Sequence, residues 1–184
     1  MAKIRQTPLP PPLAYLFKQQ GIKLKNFKTA AAFERELRKF LKTNHVLHLS
    51  TCKDDVPRST PLEFRFHDMN FFILSEGGAK FENLKHNKKV SFSIAAPYNS
   101  EENYISYKGV QAFGMAKVYS RKENPKQFDE AFRKMKLAPV MKKMGMKELP
   151  KEFNYRIIEI PPDRLKYGNP LEGIYWTHWQ RKGE

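Results

Sequence analysis

At 184 residues the chain can enclose one domain with a sizeable core, and two full domains would be a squeeze. Apolar residues make up 40% and aromatics 13%, which excludes a disordered chain, and the single cysteine, Cys52, excludes an intramolecular disulfide. The net charge of +15 attracts anions, but the excess is spread out: ten basic and two acidic residues in the first 42, and ten against four in residues 121–151.

Residues 1–12 are proline-rich, with no apolar stretch of the kind a signal peptide carries, and read as extended or mobile. No apolar run approaches membrane-spanning length. With one cysteine, these features make a cytoplasmic protein with no membrane association the expectation.

From residue 29 to 43 the period is helical. Phe33, Leu37, Phe40 and Leu41 form one apolar stripe, and Thr29 is a fair N-cap. From residue 46 the period drops to two. Residues 46–52 read as a first strand and 53–57 as a polar turn. In residues 58–66, Thr60, Leu62, Phe64 and Phe66 share one face; Ser59, Pro61, Glu63 and Arg65 share the other. Pro61 cannot donate to a ladder, so the strand is an edge there or faces a ligand.

Residues 71–75 read as a third strand, followed by Glu76-Gly77-Gly78-Ala79-Lys80 and a short helix from Lys80 to about Asn87. Val90, Phe92 and Ile94 mark a fourth strand, and 103–120 reads as a long fifth one, bent at Gly109 and Gly114. Asn124-Pro125 opens a helix as N-cap and N1. Residues 139–150 read as irregular. Residues 153–160 read as a sixth strand stopped by Pro161-Pro162. Short turns between strands, with helices outside them, predict a mainly β, α+β fold: a six-stranded antiparallel barrel with peripheral helices. The expected organisation is one domain over 1–184: an N-terminal extension and helix (1–44), a barrel core (45–120), and a helix, last strand and tail (121–184).

The turn at 75–80 holds the parts a phosphate needs. Gly77 and Gly78 let backbone N–H groups converge, and a helix N-terminus follows. Ser75 offers a hydroxyl and Lys80 a point charge.

Residues 47–120 resemble the FMN-binding split barrel of the pyridoxamine-phosphate-oxidase-like superfamily. The resemblance rests on the strand at 46–51, the segment Val56-Pro57-Arg58-Ser59-Thr60-Pro61-Leu62, the strand at 71–75, the spacing Lys80-x-x-Asn83-Leu84-x-x-Asn87-x-x-Val90, and Gly114-Met115-Ala116-Lys117-Val118. It implies FMN as cofactor and an oxidoreductase acting on an unknown small molecule. It implies Arg58 and Lys80 on the flavin phosphate, with Ser59, Thr60, Pro61 and Leu62 lining the cofactor and Leu74-Ser75 at its ribityl-phosphate end. Where the superfamily's oxidase has glutamine this chain has Gly109, and Gln111 on the same face is the substitute. The resemblance also implies a homodimer with the flavin at the interface; Trp176 and Trp179 could stack on its ring from the partner subunit or clamp the C-terminus onto the barrel, the commoner arrangement. The C-terminal Arg-x-His signature of the oxidases is replaced by Trp176-Thr177-His178-Trp179, which argues against pyridoxamine phosphate as substrate.

Two alternatives stand beside this. A haem-binding split barrel would use His48, His86 or His178 as axial ligand. A basic nucleic-acid-binding barrel is motivated by the charge and by Tyr104 and Tyr107 around Lys108, and is disfavoured because barrel packing accounts for those rings. His48 reads as packed or hydrogen-bonded, and Cys52 as no nucleophile.

Overall fold

Residues 2–182 are described by a computed structural model of the chain. The elements in chain order are β1 (Lys3–Gln6), α1 (Pro11–Gln19), α2 (Ala30–Leu41), β2 (Val46–Lys53), β3 (Val56–Glu63), β4 (Arg65–His67), β5 (Asn70–Ser75), α3 (Ala79–His86), β6 (Lys89–Ala95), β7 (Gly109–Met115), β8 (Lys117–Ser120), α4 (Pro125–Met135), α5 (Ala138–Lys143), β9 (Arg156–Ile160), β10 (Pro162–Asn169) and β11 (Ile174–Gln180). One sheet has the order β1-β11-β10-β7-β6-β2-β3; the other has the order β4-β5-β9-β8. The expected mainly β architecture with peripheral helices is what is found. Among the described residues the strands number eleven rather than six.

The chain divides into two units. The first takes residues 2–47, 91–113 and 163–182. Its helix α2 forms where the apolar stripe predicts it. Thr29 Oγ1 accepts from Ala32 N at 3.2 Å, and Phe33, Leu37, Phe40 and Leu41 are buried. Phe33 and Phe40 pack on the ring of Tyr167 from β10. Trp179 Nε1 donates to Glu34 Oε1 at 2.8 Å, fastening β11 to α2. Segment 1–12, expected to be extended or mobile, holds β1 and the start of α1. β1 pairs with β11 from Lys3↔Gln180 to Gln6↔Thr177, and Pro11 opens α1 where its missing N–H costs nothing.

The second unit takes residues 48–90 and 114–162. Its core gathers Phe72 from β5, Phe128, Ala131 and Met135 from α4, Met141 from α5, and Ile157 from β9. The expected α4 start at Pro125 is present. Asn124 does not cap it: its Oδ1 accepts instead from Ser120 N at 3.3 Å.

The long strand expected at 103–120 is a loop, then β7 and β8. At Gly114 an added Cβ would lie 2.5 Å from Pro161 O, so only glycine admits that backbone crossing. β9 stops at Ile160, where Pro161-Pro162 predicts, and a further strand, β10, begins at Pro162, since proline is tolerated as a strand's first residue. Residues 58–66 form two strands broken at the buried Phe64. Residues 139–150, read as irregular, carry most of α5, with Pro139 in its first turn.

Candidate functional site

The site is built on the second unit. β3 is the terminal strand of its sheet, the place Pro61 predicts. Along it Arg58, Ser59 and Pro61 are exposed, and Thr60 and Leu62 are half-buried. Thr60 Oγ1 is buried without a hydrogen-bond partner. β5 delivers Leu74 and Ser75 to the turn. The half-buried Leu74 side chain packs against the core of α4 and α5.

Gly78 has φ +106°, a backbone state that excludes side chains, and it starts α3 with no side chain capping the N-terminus. Phe81 N donates to Gly78 O at 3.1 Å. Asn83 Nδ2 donates to Thr51 Oγ1 at 3.0 Å and holds α3 to β2. The first turn of α3 is therefore positioned by both of its ends.

Lys80 is only 6% exposed. Its ammonium donates to the carbonyl of Gly77, to which Ser75 Oγ also donates, at 3.4 Å. Burial, and then the nearby Arg58 guanidinium, push its pKa below the ordinary lysine value. Lys80 is thus a buried cation that also feels the charge of Arg58, and neither forms an ion pair among the described residues.

Arg156 is the residue that sequence reading missed. It faces Ser75 in the β5–β9 register, its Nη1 donates to Glu76 O at 3.4 Å, and its guanidinium lies 5.0 Å from the Phe81 ring centroid. Lys80 Nζ lies 4.9 Å from that centroid. Consecutive carbonyls, of Glu76 and Gly77, therefore hold two cations against one ring. The sequence carries no signal for this, because Arg156 comes to the turn only through strand pairing.

Of the other expected residues, Gln111, Trp176 and His178 lie in the first unit and His48 lies in the second. Gln111 is exposed on β7. Trp176 stands over Gly168, where an added Cβ would meet its ring at 3.0 Å; it stacks with Tyr107 at 6.0 Å and carries Lys166 Nζ at 4.7 Å. His48 is exposed rather than packed, and His178 Nε2 is 2.9 Å from Thr7 Oγ1.

Chemically, the turn suits a phosphate. It offers charge-assisted donors from Arg58 and Lys80, a hydroxyl at Ser75, and N–H groups at a helix N-terminus. The orphaned Thr60 hydroxyl on β3 is a further polar atom suited to a polar ligand.

Fold and site together define an antiparallel split-barrel protein with a cationic turn between β5 and α3. The comparisons make this specific: the family model described as pyridoxamine 5'-phosphate oxidase matches residues 33–168, and the chain belongs to that family. No curated protein sequence matches it. Several solved structures share its fold. General stress protein 26 from Bacillus anthracis is 17% identical, with a TM-score of 0.54, covering 73% of this chain and 92% of its own. An FAD-binding protein from Mesorhizobium loti is 17% identical (TM-score 0.53; 80% of this chain, 94% of its own). HutZ, the haem storage protein from Vibrio cholerae, is 20% identical (TM-score 0.56; 76% and 97%).

Proposed function

We propose that this chain is a flavin-binding protein that takes FMN by its phosphate at the turn between β5 and α3, and serves as a flavin-dependent oxidoreductase for a small molecule. The observation that carries the reading is a buried Lys80 at the start of α3, bonded to the Gly77 carbonyl and with no carboxylate partner among the described residues. Burying an ammonium without a counter-charge is costly, and a fold keeps such an arrangement where an anion repays it. Membership of the pyridoxamine 5'-phosphate oxidase family supports the same reading, as does an FAD-binding protein among the structural neighbours.

Arg58, Lys80, Ser75 and the first turn of α3 would grip the phosphate. Ser59, Thr60, Pro61 and Leu62 of β3 would run beside the rest of the cofactor. A bound flavin supplies the redox chemistry at its ring, so the chain need only bind, orient and exclude water. A second copy of the chain, as the family resemblance implies, would complete the site.

The test is the visible spectrum of freshly purified protein, followed by titration with FMN and with riboflavin. Flavin bands, and tighter binding of FMN than of riboflavin, are expected. A colourless protein with no preference for FMN would remove the reading, and a Soret band would replace it with haem.

A further inference from the structure

On the α2 side of its sheet, the first unit buries a polar group that the chain itself leaves unsatisfied. Tyr167 of β10 lies under Phe33 and Phe40 of α2. Asn169, two residues on, donates from Nδ2 to Tyr167 Oη at 3.3 Å, so both side chains lie on that face. Asn169 is 7% exposed, and its Oδ1 is buried with no hydrogen-bond partner. Turning the amide over only moves the deficit: the Tyr167 hydroxyl would then donate to Oδ1 and leave the amide nitrogen alone. A buried amide oxygen without a donor is costly, and such an atom calls for a partner from outside the chain.

Asn169 lines a pocket of about 450 Å³ between the end of α2 and the end of β10, the size of a small-molecule site. Its charged lining is Glu36, Lys39, Lys108 and Glu172. Glu36 is already matched, by Lys25 at 2.7 Å and Lys39 at 3.3 Å. Glu172 and Lys108 line the same pocket with opposite charges, yet neither forms an ion pair among the described residues. Burial foremost, then the Glu36 and Glu172 carboxylates, push the Tyr167 pKa up to about 12, so its hydroxyl adds no charge. Two acids and two bases leave the lining neutral as a whole, so a phosphate or a polycation gains little there. A neutral sugar would answer neither open charge. A molecule with an ammonium and a carboxylate answers both, and its ammonium also supplies the donor that Asn169 lacks.

We infer that this pocket binds a free amino acid, with its ammonium on Glu172 and Asn169 Oδ1, its carboxylate on Lys108 and its side chain beside Phe40. The pocket lies on other residues than the flavin phosphate turn. It also lies on the opposite face of β10 from Gly168, which the Trp176 ring covers.

The experiment takes the full chain through thermal melts with each common L-amino acid at about 10 mM, then calorimetry on those that raise the midpoint. At least one should bind with a Kd below about 1 mM. Its amide, which lacks the carboxylate, and its analogue without the amino group should each bind at least about tenfold more weakly. Glu172→Gln and Lys108→Met change exposed side chains, so they should keep the parent's melting temperature and lose at least about tenfold in affinity. Asn169→Leu should lose binding while the ligand-free protein stays as stable as the parent or becomes more so; if this variant fails to fold, the two exposed variants decide. Lys142→Met on α5 is the control and should bind as the parent does, and FMN should neither compete with the amino acid nor weaken in any of these variants. No response to any amino acid would show a pocket that holds water only and would overturn the inference. Equal binding of the amide or the analogue without the amino group, tighter binding of a sugar, or full affinity in Glu172→Gln and Lys108→Met would overturn it too.

Discussion

The molecule carries two cationic surfaces, and they are made in opposite ways. The turn between β5 and α3 takes Ser75 and Lys80 from one short stretch of chain, adds Arg156 through the β5–β9 pairing, and buries Lys80. The other is a basic sheet face, which collects Lys3 and Arg5 from β1 and Arg164 and Lys166 from β10, with β11 between them. These segments lie more than a hundred residues apart, and the face leaves its cations open to water. A buried cation costs stability until an anion arrives, so the first surface is suited to one small, tightly held phosphate. Water-exposed cations cost little to hold, so the second surface needs no bound anion to offset it.

The sharpest way to break this contrast is Lys80→Met. FMN affinity should fall about 100-fold, or about 2.7 kcal/mol, the range of a hydrogen bond to a charged group. Riboflavin, which lacks the phosphate, should bind as before. The variant without ligand should melt at the same temperature as the parent or higher, because an unpaired buried charge has gone. Fluorescence titration and thermal melts check both halves. An equal loss of FMN and riboflavin would show that the turn does not read phosphate.

Arg156→Ala comes next. Its guanidinium is more exposed than Lys80 and is held by the Glu76 carbonyl, so its share is smaller: about a tenfold loss for FMN and none for riboflavin. Arg156→Lys should restore part of the loss. No change in FMN affinity would confine the phosphate site to Arg58, Ser75 and Lys80.

The difference between the surfaces also explains what could be read in advance. The stripe of α2, the start of α4 and the Gly77-Gly78 turn are local patterns, and they stand where the sequence puts them. Arg156 and the basic face depend on which strands pair, and in which register, which local periodicity does not carry. β1 was hidden for the same reason: Lys-Ile-Arg-Gln becomes a strand because β11 offers it an edge. The loop preceding β7 failed differently. The glycines predict a bulge or bend, and the chain does pass from one sheet to the other just after Gly114, but the cause is a close crossing against Pro161, a contact 47 residues away.

Thr60→Val has a smaller effect. The Thr60 hydroxyl is buried without a partner, so its removal should stabilise the ligand-free protein by up to about 1 kcal/mol, read from a urea midpoint. If the hydroxyl meets the body of the flavin, FMN and riboflavin should weaken together by a few-fold. A selective loss of FMN would instead move Thr60 to the phosphate.

The finest distinction is in pH. Burial and then Arg58 hold the Lys80 pKa below its unfolded value of 10.5. A lowered lysine pKa means that folding disfavours the charged form. The penalty is complete below the folded pKa and is relieved as pH rises from there towards 10.5. The parent should therefore gain stability relative to Lys80→Met across that alkaline window, measured by denaturant unfolding at a series of pH values. A bound phosphate acts the other way, because it favours the ammonium. The preference for FMN over riboflavin should shrink as pH rises through the depressed pKa in the parent. In Lys80→Met this component of the pH dependence should be missing, and a preference that fell with pH equally in both proteins would assign the titration to another group.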